Sequence, residues 1–160
     1  VHLLLFIPLV LVTALILTSL FAMSTLIGLV AERDYPQLQR KNGGGFIGSI
    51  LNVIIALGIF IAIWILTLPT WLIGVGVIVP FVAAAYLNQQ LFRYDALSEH
   101  ASREEMKTLF ASHRAALWGL GLITGLLQFI PLLNLFAPVW AALAFIHFGL
   151  SRLEYMRQRA

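Results

Sequence analysis

The chain of 160 residues is 61% hydrophobic and only 11% charged, whereas a soluble globular domain is about half apolar and about a quarter charged. So little charge cannot cover a water-soluble surface of this size, which excludes a soluble enzyme and makes lipid the solvent for much of the chain. The net charge of +3 arises from ten basic residues in three short segments; these form no stripe for a nucleic-acid backbone and fit the usual positive bias beside membrane spans.

Three runs carry no Asp, Glu, Lys or Arg: Val1–Ala31, Asn42–Phe92 and Ala115–Leu150. Each exceeds the roughly 20 residues that cross a ~30 Å hydrocarbon core. The first predicts one transmembrane helix over 1–30, with Pro8 near its beginning, where a missing N–H costs least. This run is too long for a signal peptide and lacks a basic start. Because the first residue is Val1, the expectation is a sequence whose beginning is missing. The hydroxyls of Thr13, Thr18, Ser19, Ser24 and Thr25 can bond back to the helix's own carbonyls.

A charged connector, Glu32–Lys41, leads through the breaker Asn42–Gly45. The second run, 46–92, is roughly twice a span. It is interrupted at Pro69 and Pro80, with Gly74 and Gly76 between them, and helices usually end before a proline. This predicts a helical hairpin with an uncharged tip over Thr67–Pro80. Next, Arg93–Arg114 is charged. Ser102 and Glu105 fit a capping box, and Met106, Leu109, Phe110, His113 and Leu117 recur at helical spacing, so a short amphipathic helix over 100–113 is expected on the membrane surface.

The third run, 115–150, predicts a second hairpin with its tip between Pro131 and Pro138. Its first arm, about 15 residues, spans only ~22 Å as helix, and the second is no longer. A re-entrant hairpin is therefore expected, which requires tight packing or a homo-oligomer around its non-helical tip. The fold class is an all-α integral membrane protein in a single domain. If both hairpins return to the side they left, all charged segments and the C-terminus face the cytoplasm.

The layout resembles the CysZ-type sulfate permeases of the etoposide-induced membrane protein family. The stretches that carry the likeness are AAAYLNQQLFRYDALSEHA (Ala83–Ala101) and HRAALWGLGLITGLLQFIPLLNLFAPVWAALAF (His113–Phe145). Within them Tyr86, Leu87, Asn88, Arg114, Gly119, Gly121, Ile130, Pro131, Leu132, Asn134 and Pro138 match the family pattern. Family members typically have another membrane helix before the counterpart of the first run, and part of their anion contact is attributed to that region. The resemblance implies a bacterial inner-membrane permease for a small inorganic anion such as sulfate, in contact with the lipid bilayer and without a cofactor.

Individual residues keep two readings each. Arg114, at the start of the second hairpin, is either an anion ligand beside free helix N–H groups or a snorkelling anchor. Asn88, with Gln89 and Arg93, closes the first hairpin; an amide at that depth needs a partner, which is substrate or another helix. Asn134 either lines a path or caps the second arm. Gly121 and Gly125, with Gly119 alongside, form a small-residue packing pattern. His147 has no acidic partner in its own arm for a proton relay. His100 and Glu104 have metal-capable spacing but make only a pair on an exposed helix. No catalytic or nucleotide-binding motif is present, so no metal site and no enzyme is expected. Two functions stay open: an anion permease, with Arg93, Arg114, Asn88 and Asn134 as donors, or a non-transporting membrane scaffold.

Overall fold

The computed structural model describes residues 21–72, 74–128 and 130–159, without the side chains of Trp71, Val75, Val77 and Asn134. The first twenty residues of the expected first span, including Pro8, lie outside it, as does the Asn134 side chain. Every regular element among the described residues is helical. They are α1 (21–34), α2 (Phe46–Thr67), α3 (Val79–Ser98), α4 (Arg103–Ser112), α5 (Arg114–Leu127), the single turn α6 (Pro131–Asn134) and α7 (Ala137–Gln158).

The breaks between helices in the second and third apolar runs fall at prolines and glycines. α2 ends where Pro69 enters, and the chain turns through two short 3-10 segments, Leu68–Trp71 and Val75–Ile78. Gly74 sits between them at φ 75°, a left-handed conformation that a side chain would strain. Gly76 lies in the second segment and Pro80 in the first turn of α3, where the missing N–H would have had no helical partner. In the second hairpin Pro131 opens α6 and Pro138 lies in the first turn of α7.

α3 is the central element and touches α2, α5 and α7. Glycine sets its approach to α5. A Cβ on Gly121 would lie 2.6 Å from the Ala85 carbonyl oxygen, and one on Gly125 would lie 3.5 Å from the Ala85 nitrogen. Gly119 is off this contact, since a Cβ there meets nothing within 4 Å.

Burial divides the molecule along its length. The core lies at the charged end, where Ile27, Ala31, Leu97, Met106, Leu109, Phe145, Ile146 and Leu150 pack together. The opposite end is apolar and bare, with Leu72 90% and Leu132 85% exposed at the two tips. Among the described residues Phe46–Thr70 is the one helical stretch long and apolar enough to cross a membrane, and almost none of it is buried. A soluble core helix would be covered, so this surface is one for lipid.

α4 starts behind the expected capping box. Ser102 Oγ accepts from the Glu105 N–H at 3.2 Å, and the Glu105 carboxylate accepts from the Ser102 N–H at 2.7 Å. Of its apolar stripe, Met106 and Leu109 are buried in the protein's own core, and Phe110 packs half-buried against it.

Glu105 also joins the three charged segments. Arg157 grips it with Nε and Nη2, both at 3.0 Å, and Lys41 Nζ donates at 2.8 Å. Arg157 further donates to the carbonyls of Gln39 at 2.8 Å and His100 at 2.7 Å. Alongside, the Asn42, Gly43 and Gly44 N–H groups donate to Glu99, Ala101 and Ser98. The bonds to Arg157, Lys41 and Ser102 hold the Glu105 carboxyl down to about 2 from its ordinary 4.5. Because the folded value is the lower one, this stability is complete above the ordinary value and drains away as pH falls toward about 2. The expected outcome in mild detergent is that melting temperature drops between pH 5 and pH 3. Glu105→Gln should melt lower at neutral pH, by about 1–3 kcal/mol of stability, and should lose most of that acid step. Equal acid sensitivity in both proteins would refute the assignment.

Candidate functional site

Arg93 lies in the penultimate turn of α3, half-buried, with its guanidinium carbon 4.5 Å from the centroid of the Phe110 ring on α4. Its Nε is buried and makes no hydrogen bond. Arg93 opens onto a cleft walled by Leu97, Leu109, Leu117 and Phe145 and bordered by His113, Phe148 and Arg152. No carboxylate lines this cleft among the described residues. Its free volume is about 10 Å³, room for roughly one water.

Arg114 is exposed at the start of α5, and His113 leaves that helix without a side-chain cap. It stands close enough to Arg93 for the two positive charges to act on each other. Among the described residues it makes no hydrogen bond or ion pair. Neither Arg93 nor Arg114 forms an ion pair among the described residues.

Asn88 lies further up α3 on the face toward α5. It is 9% exposed, and its Oδ1 accepts from Gln128 Nε2 at 3.3 Å while Nδ2 stays without a partner. Gln89 beside it is 3% exposed and its Oε1 is likewise unmatched. The absence of side chains on Gly121 and Gly125 lets α5 close over both amides. The backbone of Asn134 is in α6, at the far end of the molecule from the Arg93 cleft.

Two histidines differ from their sequence reading. His147 does have an acidic neighbour, supplied from another segment: Nε2 is 3.7 Å from Asp34 Oδ2, and Tyr35 OH donates to the His147 carbonyl at 3.2 Å. His100 is not on an exposed helix; it is 1% exposed in the turn between α3 and α4. Burial, reinforced by the charges of Arg40 and Arg157, keeps its imidazole neutral below the ordinary range. Glu104 is exposed, and among the described residues no three metal-ligating side chains come together.

Arg152 and Gln128 escaped the reading of the sequence. Arg152 had a legible signal: Phe145, Phe148, Gly149 and Arg152 recur at i, i+3, i+4 and i+7, one face of a helix, and all four line the cleft. Gln128 had none, because its role depends on how α5 is rotated against α3.

The Asn88–Gln128 bond yields a stability test. Gln128→Leu strips Asn88 of its one side-chain partner and should cost about 1–3 kcal/mol. Asn88→Leu combined with Gln128→Leu should recover most of that loss, since position 88 then holds no buried amide to be left unmatched. Melting temperatures of the two variants decide it; additive losses would mean the pair does not interact.

Residues 1–138 match the family described as Sulfate transporter CysZ/Etoposide-induced protein 2.4, and the chain belongs to that family. No curated protein and no solved structure matches it.

Proposed function

We propose that this member of the CysZ/etoposide-induced protein family is a membrane permease for a small inorganic oxyanion, with sulfate the first candidate. One observation carries the reading: the half-buried Arg93 has an unmatched Nε, a cationic neighbour in Arg114 and no carboxylate in its cleft. Desolvating a cation costs several kcal/mol unless an opposite charge meets it. The Phe110 face offsets part of this. An anion in transit is the partner the arrangement lacks. Asn88, Gln89 and Asn134 would follow as neutral amides beyond the charged mouth.

The location proposed is the bacterial inner membrane, with the charged end in the cytoplasm. Support comes from the convergence of Gln39, Lys41, His100, Glu105 and Arg157 on one node. The second hairpin is proposed as re-entrant, because α5 offers only 14 residues and the uncharged part of α7, 137–151, only 15, or ~21–23 Å of helix. Non-helical backbone at that depth needs protein or water around it, which supports a homo-oligomer. Single cysteines at Gln39, Lys107 and Gln158, in a chain with no native Cys, should all resist an impermeant reagent added from outside, and so should one at Leu133. Labelling of any one of the first three would overturn the orientation, and labelling at Leu133 would make the hairpin a full crossing.

A scaffold role has its own support in the Asn88–Gln128 bond and in a cleft closed to about 10 Å³. Sulfate flux into liposomes holding the purified protein separates the two readings. The permease gives flux above protein-free liposomes. Arg93→Ala should lower it by about tenfold or more, the value of one charge-assisted hydrogen bond, and Arg114→Lys should lower it less, keeping charge but losing the planar fork of donors. Wild-type flux indistinguishable from protein-free liposomes would leave the scaffold.

A further inference from the structure

We propose that α4 and α7 build an oxyanion vestibule that holds its ion at the border of the Arg93 cleft, with Arg152 as the binding residue shared by the two. The proposal rests on the anion reading above but has its own observations. A second cavity, of about 300 Å³, lies at the charged end and is lined by Thr108, Ser112, His113, Arg152, Tyr155 and Arg159, with Leu109 and Met156 behind them. That volume is at the small end of ligand pockets, ~300–1,000 Å³, and suits a small ion. Leu109, His113 and Arg152 line both this cavity and the inner cleft. An ion fits the outer space and not the inner one, and Arg152 and His113 stand on the border.

The electrostatics of the vestibule are one-sided. Its lining holds two guanidiniums and, among the described residues, no carboxylate. Its donors are also well defined. Thr108 and Ser112 have already given their hydroxyl hydrogens to the carbonyls of Glu104 and Thr108. Ser112 Oγ also lies 3.2 Å from His113 Nδ1, so hydrogen bonds to an oxyanion must come from Arg152, Arg159, Tyr155 or His113 Nε2.

The way these arginines are held distinguishes them from structural ones. Arg152 lies 5.5 Å over the Phe148 ring, Arg159 lies 4.2 Å over Tyr155, and Arg93 lies 4.5 Å over Phe110. An aromatic face attracts a guanidinium without neutralising it, and a guanidinium that is not ion-paired keeps the planar fork of donors that matches sulfate or phosphate oxygens. Arg157, on the same helix, is the opposite case: Nε, Nη1 and Nη2 are all consumed by Glu105 and two carbonyls. Glu105 is thus committed to Arg157 and Lys41, and among the described residues Arg152 and Arg159 form no ion pair.

The ligand class is a tetrahedral oxyanion, either free sulfate or the phosphate of an anionic lipid headgroup, since the vestibule lies where a cytoplasmic leaflet would meet the protein. The test uses the full chain, with Arg152→Ala, Arg152→Lys and, as control, Arg33→Ala at an exposed position outside both cavities. Two quantities are measured: the rise in melting temperature caused by sodium sulfate over sodium chloride at equal ionic strength in detergent, and sulfate flux in phosphatidylcholine liposomes. The expected result is that Arg152→Ala abolishes the sulfate-specific rise and cuts flux by about tenfold or more. Arg152→Lys should retain part of both, and Arg33→Ala should match wild type. If sulfate gives no rise, vesicles with and without phosphatidylglycerol take its place. Stabilisation by phosphatidylglycerol that disappears in Arg152→Ala supports the vestibule and identifies its ion as a lipid headgroup. Flux in the wild type that neither Arg152 variant alters overturns the vestibule and leaves the permease standing. A sulfate-specific rise that depends on Arg152, without flux, does the reverse. No Arg152-dependent response to either sulfate or phosphatidylglycerol overturns the proposal outright.

Discussion

The grip of Arg157 and Lys41 on Glu105 is the constraint on which the arrangement of this bundle depends. Apolar helices in lipid gain little by burying one another, because the tails outside are as apolar as the side chains inside. Something more specific must fix which helix sits beside which. Here Glu105 draws in the first connector through Lys41, the second through its own capping box and the C-terminal helix through Arg157. Arg157 then closes the ring by binding the Gln39 and His100 carbonyls. Segments 118 residues apart are tied at one point. With the bases of the hairpins pinned, the tips can remain bare and apolar.

That division explains why the core is where it is. Leu97, Met106, Phe145 and Leu150 pack at the charged end much as in a soluble protein, while α2 and both tips present Ile, Leu and Phe outward. Met106 and Leu109 of α4 turn into this core at the charged end.

The sequence made the hairpins legible because prolines and glycines act locally: Pro69, Gly74, Pro80, Pro131 and Pro138 each break or start helix by their own geometry. The capping box was legible for the same reason. What stayed hidden depends on helix rotation. A helix that is apolar all round has no polar face to indicate which side meets a neighbour, so neither the Asn88–Gln128 bond nor the Asp34–His147 contact could be read along the chain. Arg93 and Arg114 could be singled out as cations beside apolar runs, but whether they were paired could not. Arg152 was readable in principle, on the stripe with Phe145, Phe148 and Gly149, and was obscured because the tail reads as a simple basic end.

Pairing, rather than position, separates the two kinds of basic residue in this protein. All the cations lie toward one end, so proximity to the membrane does not distinguish an anchor from a ligand. Glu105 does. It saturates Arg157 and takes Lys41, and the hydrogen bonds from these two hold its carboxyl near 2 against the opposing effect of burial. Arg93, Arg152 and Arg159 rest instead on Phe110, Phe148 and Tyr155. An aromatic face supplies attraction without cancelling charge, so these three groups keep a positive field in the two cavities they border. A chain with seven acidic residues for its ten basic ones could have neutralised more of them. Concentrating one carboxylate on the residues that hold the bundle together leaves Arg93, Arg152 and Arg159 without an ion-pair partner among the described residues, each on an aromatic ring instead.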